Sequence, residues 1–174
     1  IGGEVYRPVI GTPADDKQYI RWDAFGTGSS TFTASYSTNG GITWNTIASS
    51  IPANRRYQEW FPPNVPTDQL KVKVTATNGM TDTSDQHVVI MAAPTSLMAT
   101  SPCNGYVQVN WSAVSGASYY RIFTIRNETL TAIDTTSGTS IVLSDFPHDS
   151  AIWVTVCGVF ASHVNGLMTY AWIH

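Results

Sequence analysis

The sequence predicts an all-β chain built as two tandem β-sandwiches, and three observations carry that prediction. Charged residues make up only 12% of the 174, about half the usual share for a globular protein, while Thr, Ser, Val, Gly and aromatic residues are plentiful. Four Asn-Gly pairs, Asn39-Gly40, Asn78-Gly79, Asn104-Gly105 and Asn165-Gly166, each sit between β-rich segments, and this dipeptide is the strongest short-range mark of a hairpin. Apolar residues recur with period two and nowhere sustain a 3.6-residue period, so no helix is expected.

In the first half, YIRWDAF sets Ile20 and Trp22 on one face and Arg21 on the other. TFTASYS continues the alternation through Phe32, Ala34 and Tyr36, and LKVKVTAT places Leu70, Val72, Val74 and Ala76 opposite Lys71, Lys73 and Thr75. SDQHVVIM closes the series with Val88 and Ile90. Each is the pattern of a strand with one face in a core. A proline after small residues then follows in AAPTSL, as a linker ending on a new first strand would have it. The boundary falls near Ala93, which divides the chain into 1–92 and 93–174. Beyond it, YVQVNW, SGASYYRIF, SIVLSDF and IWVTVCGVF supply further strands, with Tyr120 and Ile122 inward and then Ile152, Val154, Val156 and Gly158 inward.

The stretch YSTNGGITWNTI carries Ser37, Asn39, Gly41 and Trp44 in the spacing S-x-N-x-G-x-T-W, which resembles the Asp-box of sialidase-like propellers. That motif is a hairpin device. Asn39 can accept from the backbone of its own turn, Gly40 and Gly41 supply positive φ, and Trp44 folds back over the hairpin. A propeller repeats its blade every 40 to 50 residues or so; here the motif occurs once, so it reads as a turn.

Two resemblances cover the chain. Gly2, Gly3, Glu4 and Tyr6, then Ile20 and Trp22, then Ser37, Asn39, Gly41 and Trp44, then Trp60 and Pro63, then Lys71 to Val74 resemble an immunoglobulin-like bacterial module. Ile1 stands where that pattern has Asn, and Asn39 where Asp is commoner, which puts metal binding at the turn in doubt. From Pro94 and Leu97 through Trp111, Tyr120 and the inward row of IWVTVCGVF, the rest resembles a fibronectin type III domain. The pair resembles the C-terminal accessory region of secreted bacterial subtilisin-family peptidases and related surface proteins. That likeness implies a non-catalytic spacer, stabiliser or docking tail, with the upstream domain of the same parent chain or a cell-surface protein as partner, in an extracellular or cell-surface setting. The abrupt start IGGEVYRP and stop TYAWIH fit an excised piece.

A net charge of -3 with no cationic cluster beyond Arg55 and Arg56 gives no footprint for nucleic acid or an anionic membrane. No apolar run approaches the roughly 20 residues that span a bilayer. His87, His148, His163 and His174 sit in no setting that completes a nucleophile, base and orienting acid, so no catalytic residue is assigned. The sets Asp145, His148, Asp149 and Asp82, Asp85, His87 each offer two carboxylates where Ca²⁺ takes six to eight oxygens; they read as turn residues, and neither a metal nor a cofactor is expected. Among six tryptophans, Trp22 and Trp111 fall on inward rows, and Trp44 and Trp60 at positions where a ring closes a sandwich. Trp153 and Phe123 point outward by parity. They form either a cross-strand pair or an interdomain contact or, with Tyr119 and Tyr106, a platform for a glycan, which is the alternative function. Cys103 shares parity with inward Val107 and Val109 while Cys157 faces out, which speaks against a disulfide, although a bulge would reverse parity.

Overall fold

The computed structural model describes residues 4–8, 17–26, 28, 30–103, 105–144, 146 and 152–173, and only the backbone of 101–103 and 170–173. The chain divides into two units, Ile1–Ile90 and Met91–His174, with the break two residues ahead of the linker read from the sequence.

In the first unit β1 (Val5–Tyr6), β2 (Gln18–Arg21), β3 (Phe32–Ser37), β4 (Asn45–Ile51), β5 (Tyr57–Trp60), β6 (Thr67–Ala76), β7 (Thr81–Thr83) and β8 (Val88–Ile90) form two sheets. One runs β1-β8-β6-β3-β4 with β7 also on β6, and the other pairs β2 with β5. β1 joins β8 in parallel, Val5 against Val89, whereas the other ladders are antiparallel. The alternating row of β6 supplies Leu70, Val72, Val74 and Ala76 to a core shared with Ile20, Trp22, Phe32, Ala34, Trp60, Val88 and Ile90. Trp22 meets Phe32 edge-on, with ring centroids 5.5 Å apart. The opposite row turns outward, and register sets Lys71 beside Ser37, Lys73 beside Ser35 and Thr75 beside Thr33.

In the second unit β9 (Met98–Cys103), β10 (Tyr106–Asn110), β11 (Tyr119–Arg126), β12 (Thr129–Thr136), β13 (Ser140–Ser144), β14 (Ile152–Val159) and β15 (Asn165–Ile173) follow. They make a sheet β13-β10-β9 and a sheet β12-β11-β14-β15. Val107, Val109, Trp111, Tyr120, Ile122, Leu143, Ile152, Val154 and Val156 are buried between them. Trp111 packs edge-on against Tyr120 at 5.3 Å, and the Tyr120 hydroxyl accepts from the Val114 backbone N–H at 2.8 Å. Met91 lies against the inner side of β14 and β15. A Cβ at Gly166 would stand 2.5 Å from its sulfur and 2.9 Å from its Cβ, and one at Gly158 would stand 2.9 Å from its sulfur, so both positions need glycine for this side chain to fit.

One expectation about the core is corrected. Trp60 is buried as the motif implies, but Trp44 is only half-buried. Its ring lies under the ammonium of Lys73, 4.0 Å from the centroid, and Lys73 belongs to the outward row. The ring therefore covers the outside of the sheet.

Candidate functional site

The Asp-box-like turn between β3 and β4 closes on itself. Ser37 Oγ donates to Asn39 Oδ1 at 2.8 Å and accepts from Gly41 N at 2.8 Å; Thr43 N donates to Asn39 Oδ1 at 2.9 Å, and Asn39 Nδ2 donates to Thr43 Oγ1 at 2.9 Å. Gly40 and Gly41 hold φ of 73° and 101°, and the Trp44 ring stands 3.4 Å from where a Gly41 Cβ would be. Both ends of the Asn39 amide are spent inside the turn, which leaves it no free ligating oxygen and makes the motif structural.

The outer face of the β12-β11-β14-β15 sheet is different. Alternation sets Tyr119, Arg121, Phe123 and Ile125 outward on β11, and register aligns Val159, Cys157 and Thr155 with the first three. At one end of this face Ile125, Leu130, Trp153 and Met168 stay open, at 53%, 49%, 44% and 39% exposure. They line a groove of 370 Å³ with Val154 and Thr155. Among the described side chains the lining is aliphatic around one indole, with the backbone of Trp172 opposite Trp153 and of Tyr170 opposite Thr155 in register, and the Thr155 hydroxyl already donates to the Thr169 carbonyl.

At the other end the same face is covered. Phe123, Cys157 and Val159 form a small buried cluster with Tyr119 packed on it. Arg121 reaches from β11 to β15, donating to Asn165 Oδ1 at 2.9 Å and to the Tyr119 hydroxyl at 3.2 Å, so its side chain crosses β14 above Cys157. The Tyr119 oxygen lies 3.1 Å from His163 Nδ1. Because a guanidinium only donates, the tyrosine oxygen accepts from Arg121. Burial pushes the Cys157 thiol up in pKa, against the opposing pull of the Arg121 charge. Cys157 is free; the Cys103 side chain lies outside the described residues.

Of the four aromatics picked from the sequence, Trp153, Phe123 and Tyr119 share this face, but only Trp153 lines the groove. Phe123 points outward as parity required, yet it is 8% exposed, so it is floor and not platform. Tyr106 is corrected: it lies on β10, in the opposing sheet, and cannot join the other three. The groove residues that sequence reading missed, Ile125, Leu130 and Met168, carry no motif. Their signal is an apolar residue on the outward parity of β11 and, opposite it in register, on β12.

Asp145, His148, Asp149 and His174 lie outside the described residues. Among those described, no three His, Cys, Asp or Glu side chains gather as a metal site, and no helix is long and apolar enough to cross a membrane. A smaller cleft of 100 Å³ in the first unit is lined by Trp22, Phe25, Phe32 and Met80 beside Asp23 and Asp82. Trp22 Nε1 is buried without a partner there, but Trp111 Nε1 is too. Both indoles follow the strand at which their backbone N–H meets the facing strand's start, Trp22 with Arg56 O and Trp111 with Thr139 O. A shared position explains the shared orphan, and the feature belongs to core packing.

No protein-family model matches the sequence, and no curated protein matches it. Among solved structures, a segment of two fibronectin type III domains from chicken tenascin matches with a TM-score of 0.54 at 12% identity, covering 90% of this chain and 91% of that one. An Fn3-like protein from Clostridium thermocellum matches at 21% identity and a TM-score of 0.43, covering 48% of this chain and 92% of that one. At such identities the tenascin likeness speaks of fold alone. The chain is all-β, two tandem β-sandwiches, immunoglobulin-like followed by fibronectin type III-like.

Proposed function

We propose that this tandem is a non-catalytic accessory unit of a larger secreted or cell-surface protein, a peptidase by the resemblance of its two modules, and that it docks protein through the outer face of its second domain. The observation that supports this reading is the open groove of Ile125, Leu130, Trp153 and Met168 on that face. Apolar side chains around an indole are the make-up of a protein-docking hot spot, and Met168 adds the adaptable packing of such surfaces. On this reading the tandem lends contacts and reach to chemistry done elsewhere in the parent.

The rival is glycan binding on Trp153. A sugar site needs hydroxyls or amides aimed at the ring's own hydroxyls beside the stacking face. Among the described side chains the neighbours of Trp153 in the groove are aliphatic and the Thr155 hydroxyl is engaged, while Tyr106 is on the other sheet; register also sets Trp172 opposite Trp153 and Tyr170 opposite Thr155, so the rival is decided by experiment. Calorimetry with soluble polysaccharides, together with assays on peptide, ester and glycoside substrates, tests both readings: neither binding nor turnover is expected. Saturable polysaccharide binding lost in Trp153→Ala with the fold intact would replace docking by glycan recognition, and turnover would refute the non-catalytic assignment.

A further inference from the structure

We infer that the partner segment is extended and acidic-apolar: an apolar anchor fills the groove, and a carboxylate four residues away meets Arg121. This rests on the docking reading above and gives it a partner chemistry. Ile125 and Arg121 stand on the same outward row of β11, four residues apart, a span of about 13 Å at the rise of a β-strand. Phe123 between them is sunk into the floor, so the row offers an open apolar end and a cationic end. An extended segment laid along β11 has the same rise and alternation, so its side chains at i and i+4 face that row together.

Charge complementarity selects the acid. The described bonds of Arg121 run to Asn165 and Tyr119, both neutral, and use two of its N–H groups; a guanidinium has five. No Asp or Glu stands on the outward rows of β11 or β14. The acidic residues of this domain within the described set are elsewhere. Glu128 is in the β11–β12 turn with φ 62°, and Asp134 lines a separate cleft with Arg126 and Leu143. A carboxylate from outside thus supplies the charge-assisted bonds that the face lacks. The same reasoning disfavours a second copy, which would bring another Arg121 and no acid.

Panning a random-peptide phage library on the intact tandem, with the Leu130→Glu tandem as counter-selection, tests the inference. Enriched sequences should pair Leu, Ile, Met, Phe or Trp with Asp or Glu four positions away. A synthetic consensus peptide should lose about tenfold or more in affinity on Arg121→Gln and on Leu130→Glu. Arg121→Glu should instead favour the peptide with Lys in place of the acid. Near-ultraviolet circular dichroism and unfolding midpoints check that the variants keep their fold. Enrichment that depends on Leu130 but shows no acidic preference, or no effect of Arg121→Gln, overturns the acidic partner and leaves apolar docking standing. No enrichment, binding indifferent to Leu130→Glu, or self-association relieved by Leu130→Glu overturns both.

Discussion

In the first domain β2 and β5 face a sheet in which β6 pairs β3 and β3 pairs β4; in the second, β10 and β13 face a sheet in which β14 pairs β11 and β11 pairs β12. A tryptophan directly follows β2 and β10 and anchors each core, Trp22 and Trp111. Two things differ. The first strand joins the large sheet in one domain, β1 on β8, and the smaller sheet in the other, β9 on β10. The outer face of the large sheet carries Lys71, Lys73, Thr75 and Thr33 in the first domain, with the half-buried Trp44 ring capped by Lys73, and Phe123, Ile125, Leu130, Trp153 and Met168 in the second. Inward rows decide the fold and are alike. Outward rows are free of that duty, and the domain whose outward row is apolar is the one that carries the proposed docking surface.

The largest effects should come from breaking the shared part. Trp111→Ala should cost the second domain about 3 to 5 kcal/mol, the usual range for a deleted buried aromatic, and Trp22→Ala should do the same to the first. In urea unfolding followed domain by domain, each substitution should move one transition and leave the other; movement of both would mean the cores are not independent.

Next comes the Met91 wedge of the second domain. Gly166→Ala should cost about 1 to 3 kcal/mol by overpacking against Met91, and Met91→Ala in the same chain should recover part of that loss. A double variant no better than Gly166→Ala alone would show that the clash is not with Met91.

Smaller still is the turn peculiar to the first domain. Asn39→Ala removes bonds that close the hairpin, and Trp44→Ala removes a half-buried ring and its cation–π contact. Each should lower the first domain's stability by about 1 to 2 kcal/mol, as lost hydrogen bonds and partly exposed aromatic contacts do. A loss for Trp44→Ala as large as for Trp22→Ala would place the ring in the core.

The smallest effect is electrostatic. Lys17 and Glu59 pair at 3.0 Å on the surface; the Lys17 hydrogen bond and charge hold the Glu59 carboxyl below its ordinary pKa, and the hydrogen bond to Glu59 and its charge raise that of Lys17. The Glu59 contribution is therefore present above the unfolded carboxyl pKa and fades as pH falls through the folded one. The Lys17 contribution is present below its unfolded pKa and fades as pH rises through the folded one. Subtracting Glu59→Gln midpoints from those of the parent sequence across pH should give a small difference that vanishes in acid and is screened by salt; a difference that grows in acid would reverse the sign.

How much of this was legible in the sequence follows from what period two encodes. It gives which residues point in, and Ile20, Trp22, Val72, Val74, Val109, Tyr120, Ile122, Val154 and Val156 are all buried. It does not say which of two sheets a strand joins, so Tyr106 shares an outward parity with Trp153 and yet lies on the other sheet. Nor does it say whether an outward residue meets solvent. Phe123 and Cys157 face out and are buried nonetheless, because Tyr119 packs there and Arg121 crosses the strand to Asn165. Trp44 leaves the core for a related reason: the motif fixes its distance from the turn but not the face its ring covers. The groove was legible only in part, since Ile125, Leu130 and Met168 look like ordinary strand residues until register brings them round Trp153.

The most direct test of the outer-face contrast compares one charge on each face of the full parent chain. Leu130→Glu places a carboxylate in the groove of the second domain, and Lys71→Glu places one on the polar outer face of the first. With both variants keeping their unfolding midpoints, the docking proposal predicts that retention of the parent at a surface, or association with an upstream domain, falls severalfold for Leu130→Glu and holds for Lys71→Glu, as when a charge enters a docking hot spot but not a more polar face. Equal retention for both, or a loss confined to Lys71→Glu, would contradict it.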